Sequence, residues 1–142
     1  MEFTDIAMEL SKEAWQTSFH HPFVLQLQEG SLEPAIFRYY LIQDAYYLKS
    51  FSEAYHLLAD KTSNEKMKRL LKQNAQSLVE GELFIRQQFF KELGISDQEM
   101  DEQPIAPTCY HYISHIYRQF AEPNLGIAFA SLLPCPWLYH DL

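Results

Sequence analysis

The sequence has few of the residues that interrupt regular structure. Glycine accounts for only 4 of the 142 residues, and no segment alternates apolar and polar residues for long enough to predict a strand. These absences argue against the turn-rich all-β folds. Apolar residues recur instead at helical spacing along most of the chain. The sequence therefore predicts one all-α domain over residues 1–142, a bundle of about five helices.

Cysteine and basic residues are also scarce, and long apolar runs are missing. Two cysteines do not make a disulfide framework, which favours the cytoplasm. Only 11 Lys and Arg stand against 19 Asp and Glu, so no basic patch is available for a nucleic-acid backbone. The longest apolar run, 126–138, is too short to cross a bilayer and contains two prolines. We therefore expect neither a nucleic-acid nor a membrane partner.

Capping residues and helix breakers predict where the helices begin and end. Thr4 is the expected cap of a first helix that stops at His21-Pro22, and Pro34 opens a long helix to about Asp60. A third helix is predicted from a Thr62–Glu65 capping box to Gly94. A fourth begins after the loop 101–107 with Thr108 as its cap. A fifth follows Pro123-Asn124 and has a kink at Pro134. The apolar faces predicted for the first and third helices include Ile6, Leu10, Val79 and Ile85.

Asp44 interrupts the apolar face of the long helix, four residues from both Tyr40 and Leu48. Removing a carboxylate from water is costly unless the group is paired or hydrogen-bonded. Two interpretations stay open for Asp44. It is satisfied by a tyrosine hydroxyl or a buried arginine, or it accepts hydrogen bonds from a flat, amine-bearing ligand beside Tyr47.

The stretch LLPCPWLY places Cys135 between two prolines inside an apolar run. Pro134 has no N–H for the carbonyl one turn back, so the predicted kink tilts Cys135 towards an interior cavity, with Tyr139 on the same face. Cys135 is either a nucleophile or a small buried side chain at a kink. Cys109 is a rival nucleophile, because the first turn of a helix can lower the pKa of a thiol.

Acidic residues and histidines do not form a metal-binding pattern. Glu53 and His56 have the Glu-x-x-His spacing of di-iron bundles. Glu53 is nine positions from Asp44, however, and therefore lies on the opposite side of the same helix. No second Glu-x-x-His pair occurs. We expect neither a metal nor another cofactor, and a di-iron oxygenase is the last-ranked interpretation.

Three separated segments resemble the TenA/thiaminase II family. They are FRYYLIQDAYYLKSF, PTCYHYISHIY and LLPCPWLYHDL, and the similarity extends from AWQTSFHHPFV onward. The resemblance implies a haem-oxygenase-like helical bundle without haem and a homotetramer. It also implies a small pyrimidine as substrate. Members either deaminate 4-amino-5-aminomethyl-2-methylpyrimidine to hydroxymethylpyrimidine for thiamin salvage or cleave thiamin to hydroxymethylpyrimidine and thiazole, and the sequence does not choose between the two.

The resemblance also implies roles for individual residues. Cys135 corresponds to the cysteine that adds to the pyrimidine ring, and Asp44 to the aspartate that binds the ring. Tyr47, Tyr112 and Tyr139 correspond to substrate-binding residues. Members continue beyond the position of Leu142 with helices that carry a proton-transferring glutamate. We therefore expect the chain to lack C-terminal helices, and to be either a truncated form or one that another chain completes.

Two further functions remain as alternatives. One is a non-catalytic protein of the same fold that binds a thiamin-related pyrimidine through Asp44 and the tyrosines. The other is a helical regulatory protein, although the acidic charge and the lack of a recognition-helix pattern argue against direct DNA contact.

Overall fold

The computed structural model describes residues 2–142, which form nine α-helices and one π-helical segment and contain no strand. The elements are α1 (Phe3–Phe19), α2 (Pro22–Glu29), α3 (Pro34–Lys61), α4 (Glu65–Ser77), the π-helical segment (Leu78–Leu83), α5 (Phe84–Leu93), α6 (Asp97–Glu102), α7 (Pro107–Gln119), α8 (Leu125–Leu132) and α9 (Pro134–Asp141). The all-α prediction is confirmed. The five predicted helical stretches are present, and α2 and α6 are added to them.

The 28-residue helix α3 is the centre of the bundle, and it begins at Pro34 and ends one residue beyond the predicted end. It packs against α4, the π-helical segment, α5, α7 and α8. The buried core joins side chains from four of these helices: Phe51, Tyr55 and Leu58 of α3, Leu71 and Ala75 of α4, Ile116 of α7, and Ala128 and Leu132 of α8. Burial of one such leucine or phenylalanine side chain contributes roughly 1.5–3 kcal/mol. Because α3 contributes most to this core, it is the element best placed to hold site residues rigidly.

Two of the predicted helix starts are wrong. Helix α1 begins at Phe3 with Glu2 as its cap, and Glu2 and Asp5 form the capping box in place of Thr4. Helix α7 begins at Pro107, one residue before the predicted cap Thr108. Proline already has the φ of a first helical residue and lacks the N–H that a cap would satisfy, so the helix can begin there.

The third predicted start is also displaced. Asn64 caps α4, because its side-chain oxygen accepts a hydrogen bond from the backbone N–H of Met67 at 3.0 Å. Thr62 instead ends α3, and its own backbone N–H donates to the carbonyl of Leu58. Thr62 is buried and closes the end of α3, so it belongs to the preceding helix.

The predicted third helix is one continuous stretch from Glu65 to Leu93, with the π-helical segment in its middle. It ends at Gly94, as predicted, with a left-handed φ of 63° that favours glycine. The widened turn changes which residues face the core after it. Ile85, which follows the turn, is consequently exposed, and Val79 within the segment is exposed as well, both contrary to the predicted apolar face, while Arg86 is 16% exposed.

Two polar side chains of α3 anchor residues 93–106, which include most of the loop predicted at 101–107. Arg38 donates hydrogen bonds to the carbonyl oxygens of Leu93 and Gly94 and pairs with Glu99 of α6. Gln43 donates to the carbonyl of Pro104 at 3.0 Å and accepts from the N–H of Ala106 at 2.7 Å. The short helix α6 and the residues after it are therefore fixed to α3 next to Asp44. Among residues 2–142, no helix is both long and apolar enough to cross a membrane.

Candidate active site

A cavity of about 450 Å³ lies between α1, α3, α7 and α9. Its lining residues are Ala14, Trp15 and Ser18 of α1, Tyr40, Gln43, Asp44 and Tyr47 of α3, Thr108, Cys109 and Tyr112 of α7, and Pro134, Cys135, Leu138 and Tyr139 of α9. The five residues predicted for the site, Asp44, Tyr47, Tyr112, Cys135 and Tyr139, all line this cavity. Four separate helices thus bring one carboxylate, two thiols and four tyrosines together.

Asp44 is only 8% exposed, and it is neutralised from behind the cavity by Arg86 of α5. The Nε of Arg86 donates to Oδ2 of Asp44 at 2.5 Å. Burial raises the pKa of the Asp44 carboxyl above its usual value, and the hydrogen bond from Arg86 opposes that rise. The structure therefore answers one question from the sequence: a buried arginine does satisfy Asp44, and Asp44 lines the cavity as well.

The two oxygens of Asp44 differ in their surroundings. Oδ2 accepts the hydrogen bond from Arg86, whereas Oδ1 has no partner at hydrogen-bond geometry within residues 2–142, and the nearby hydroxyl of Tyr40 helps Arg86 to lower the pKa of the carboxyl. Oδ1 is nevertheless not sealed from solvent, because the only buried side-chain atom without a partner in this part of the chain is the hydroxyl of Tyr47. Oδ1 is therefore the Asp44 oxygen that Arg86 leaves unoccupied, in a residue that lines the cavity.

Tyr47 has an aromatic environment and an unsatisfied hydroxyl. Its ring stacks on Phe51 at a centroid distance of 5.3 Å and on Tyr112 at 5.6 Å. Its hydroxyl is buried and has no hydrogen-bond partner among residues 2–142. Burial raises the pKa of Tyr47, and the neighbouring Cys135 and Tyr112 raise it further. A donor in this position is available to a polar ligand atom or to an ionised sulfur.

Tyr40 and Tyr139 form one edge of the cavity, with their hydroxyl oxygens 3.1 Å apart. Burial, followed by the charge of Asp44, raises the pKa of Tyr40, so its hydroxyl keeps its proton. Tyr139 is more than half exposed. An adjoining groove of about 910 Å³ shares both tyrosines and continues between α2 and α3. This edge therefore connects the cavity to a larger open space.

Cys135 occupies the second residue of α9, directly after the break between α8 and α9. Pro134 has no N–H for the carbonyl of Ala130, and that carbonyl accepts from the N–H of Leu133 at 3.3 Å instead. Burial raises the pKa of the Cys135 thiol, and the neighbouring Tyr47 hydroxyl lowers it in part. The group is consequently a thiol near neutral pH.

Cys109 lines the same cavity but has a different environment. Its thiol donates to the backbone carbonyl of Gln43 at 3.7 Å. Burial, followed by the charge of Asp44, raises its pKa. The expectation that the start of α7 lowers the pKa of this thiol is therefore wrong, because burial and a nearby carboxylate outweigh the helix dipole.

Arg86 and Gln43 are site residues that the sequence reasoning missed. A buried arginine partner for Asp44 was one interpretation, but no pattern in the sequence pointed to Arg86. Gln43 lies directly before Asp44, off the predicted apolar face of α3, and nothing in the sequence marked it as a site residue. Within residues 2–142, no group of three or more His, Cys, Asp or Glu side chains is arranged to hold a metal ion.

The structure is an all-α bundle with a cavity lined by one carboxylate, tyrosine hydroxyls and two thiols. The sequence profile of the TENA/THI-4/PQQC family matches residues 10–142, and the chain belongs to this family. It is 34% identical over 142 residues to an aminopyrimidine aminohydrolase of Bacillus subtilis (strain 168). The aligned region covers the whole of this chain and 60% of that relative. It is 26% identical to the aminopyrimidine aminohydrolase of Halalkalibacterium halodurans, over the whole chain and 63% of that relative. The chain thus spans about three fifths of the length of these relatives.

Two solved structures share the fold. A TenA homologue from P. horikoshii OT3 superposes with a TM-score of 0.89 at 26% identity, over 99% of this chain and 66% of the other. A protein described as a TenA family transcription regulator, from Silicibacter sp. TM1040, gives 0.90 at 24% identity, over 99% and 62%. The predicted haem-oxygenase-like helical class is therefore confirmed.

Proposed function

We propose that this chain carries the pyrimidine site of a thiamin-salvage hydrolase that deaminates 4-amino-5-aminomethyl-2-methylpyrimidine to hydroxymethylpyrimidine. The observation that carries the proposal is the convergence of Asp44, Cys135 and three tyrosines on one cavity of about 450 Å³. That volume lies in the range of small-molecule pockets. Both relatives are named aminopyrimidine aminohydrolases, which supports the same substrate class.

The cavity offers complementary groups to an aminopyrimidine. The free Oδ1 of Asp44 is suited to accept hydrogen bonds from an amino group or a protonated ring nitrogen. The rings of Tyr47 and Tyr112 are nearly parallel, at an interplanar angle of 15°, and offer an aromatic wall. A flat ring between this wall and α9 would lie beside the thiol of Cys135.

The proposed reaction begins with Cys135. Its thiolate forms an S–C bond with the ring carbon next to the one that bears the aminomethyl group, which breaks the aromaticity of the ring. The exocyclic C–N bond then breaks, and the nitrogen leaves with the electron pair, takes up one proton and departs as ammonia. Water forms a C–O bond at the same methylene and loses one proton. Finally the S–C bond breaks, which restores the thiolate and the aromatic ring.

A non-catalytic pyrimidine-binding protein is the second candidate, and two observations favour it. Burial raises the pKa of Cys135, so the nucleophilic thiolate is a minor form at neutral pH. Asp44 is also the only carboxylate among the residues that line the cavity within residues 2–142. Binding and turnover are therefore separate questions for this chain.

We further propose that the chain self-associates and acts in the cytoplasm. Phe3, Ile6 and Leu10 lie on one face of α1 and are all exposed, Leu10 at 84%. Exposed apolar residues that share a face are typical of interfaces between protein chains. The scarcity of cysteine supports the cytoplasmic location.

The proposed function is tested by ammonia release from the aminomethylpyrimidine, measured for the wild type, Cys135→Ala and Cys109→Ala. The hydrolase hypothesis requires that the wild type and Cys109→Ala release ammonia and that Cys135→Ala does not. Thiamin is tested as a second substrate in the same assay, because the adjoining groove offers space beyond the pyrimidine.

Calorimetric titration with hydroxymethylpyrimidine separates the remaining outcomes. Binding without ammonia release would favour the non-catalytic binding protein. Release that survives in Cys135→Ala would reject the cysteine mechanism. Absence of both binding and release would reject the proposed function.

A further inference from the structure

We infer that Arg86 is a positioning residue for the candidate site: from outside the cavity it holds Oδ2 of Asp44, so that Oδ1 alone is presented to a ligand. The inference rests on the proposed function in taking a pyrimidine as that ligand. Arg86 does not line the cavity, and it would therefore act through Asp44 without touching the ligand.

The geometry assigns the two oxygens of Asp44 to different partners. Nε of Arg86 lies 2.5 Å from Oδ2, and its guanidinium is 16% exposed beside a carboxylate that is 8% exposed. No other side chain makes an ion pair with Asp44 within residues 2–142. Because one oxygen is engaged and the other is open, the carboxylate cannot rotate freely without breaking a charge-assisted hydrogen bond.

Arg86 is itself held in place by a second contact. One of its terminal nitrogens lies 3.7 Å from Glu82, which belongs to the π-helical segment one turn earlier. The π-helical segment also packs against α3, the helix that carries Asp44. Asp44 and Glu82 thus flank the guanidinium from α3 and from the π-helical segment. π-Helical turns within α-helices frequently occur at functional sites.

The charges around Asp44 show why this role matters. The groups that interact with its carboxyl are Arg86 of α5, Glu82 of the π-helical segment, Tyr40 of α3, Cys109 of α7, and Cys135 and Tyr139 of α9. Arg86 is the one cation among them. Without it, burial and the charge of Glu82 would both favour a protonated Asp44, and a protonated carboxyl is a weaker acceptor for an amino group.

The first measurement uses no ligand. Carboxyl carbons of aspartate are labelled with ¹³C in the full 142-residue chain, the Asp44 resonance is assigned with Asp44→Asn, and its titration is followed by NMR. We expect the Asp44 carboxyl of Arg86→Gln to titrate at a higher pH than that of the wild type, and Arg86→Lys to stay close to the wild type. Arg118→Gln is the matched control, because Arg118 is exposed and its one ion pair among residues 2–142 is with Glu122.

The second measurement is the affinity for hydroxymethylpyrimidine by calorimetry across pH. We expect Arg86→Gln to bind about tenfold more weakly at neutral pH, since loss of one charge-assisted hydrogen bond has effects of this order. The loss should shrink as the pH rises and Asp44 ionises. Arg86→Lys should bind with intermediate affinity, because lysine restores the charge without the fixed geometry of the guanidinium.

Circular dichroism shows whether each variant is folded. Unchanged titration of Asp44 in folded Arg86→Gln would overturn the inference, and so would wild-type affinity of Arg86→Gln despite a shifted titration. If Arg86→Gln does not fold, the affinity of Arg86→Lys decides, and wild-type affinity of that variant would overturn the inference. If the wild type itself binds no hydroxymethylpyrimidine, the proposed function fails, and the carboxyl titration alone decides the role of Arg86.

Discussion

The hydroxyl of Tyr47 is the residue-scale feature with the clearest consequence for stability. It is buried without a partner among residues 2–142, and an unsatisfied buried hydroxyl costs free energy. Tyr47→Phe should therefore raise the free energy of unfolding of the ligand-free chain by about 1 kcal/mol. Urea unfolding measures the change. Tyr112→Phe is the matched control, since it removes a tyrosine hydroxyl from the same stacked pair without removing a buried, unpaired one. Equal effects of the two variants would contradict this explanation.

The same hydroxyl should control the reactivity of Cys135. Only the thiolate reacts with iodoacetamide, and burial raises the pKa of this thiol, so alkylation should be slow near neutral pH and accelerate as the pH rises above 9. Tyr47 lowers the pKa of Cys135 in the wild type. Tyr47→Phe should therefore move the acceleration to still higher pH. Peptide mass spectrometry separates alkylation of Cys135 from that of Cys109. A profile that moves to lower pH in Tyr47→Phe would refute the assignment.

At this scale, residue type and spacing predicted much of the site. A carboxylate on an apolar helix face and a cysteine between prolines are departures from ordinary core composition, and both Asp44 and Cys135 line the cavity. The partner of Asp44 could not be predicted in the same way. Arg86 is 42 positions away along the chain, and one sequence contains no signal that joins the two residues.

Among the elements, the start of α4 gives the sharpest test of a helix cap. Asn64→Ala removes the side-chain oxygen that accepts from Met67, and it should lower the free energy of unfolding by about 1 kcal/mol. Ser63→Ala is the adjacent control and should change stability by less than about 0.5 kcal/mol. Thermal or urea unfolding of both variants decides. A larger loss for Ser63→Ala than for Asn64→Ala would show that the helix begins elsewhere.

This element also shows why helix boundaries were less predictable than helices. Thr62, Ser63 and Asn64 are three consecutive residues that all favour cap positions, so local preference does not choose among them. Tertiary packing makes the choice, because Thr62 is buried at the end of α3. The π-helical segment is a similar case. Its amino acids have no distinctive pattern, and the faces predicted for Val79 and Ile85 assumed an uninterrupted α-helix.

For the whole molecule, the exposed apolar face of α1 predicts association between copies of the chain. Sedimentation velocity should show oligomers whose proportion rises with protein concentration. The double variant Ile6→Lys with Leu10→Lys should increase the monomer fraction, because two charges on the apolar face oppose its burial. Gln16→Lys, on another side of the same helix, is the control and should leave the distribution unchanged. A monomeric wild type at all concentrations would contradict the proposed association.

The fold class of the whole molecule was predictable because helical periodicity is a local property that a single sequence records. The all-α architecture and the long central helix α3 both followed from it. The arrangement of four helices around one cavity did not follow from periodicity. It depends on contacts such as those from Gln43 to Pro104 and Ala106, which join residues about 60 positions apart.

The π-helical segment makes chain length itself a determinant of the site. A turn with i to i+5 hydrogen bonds holds one more residue than the α-turn that it replaces. Gly81 lies in this segment and has open space around it. Loss of that one residue would convert the segment to a regular α-turn and leave Arg86 facing Asp44, whereas insertion of one residue between the segment and Arg86 would rotate Arg86 by roughly 100° about the helix axis. A single-codon insertion, with no change to any residue that lines the cavity, would then separate Asp44 from its counter-ion.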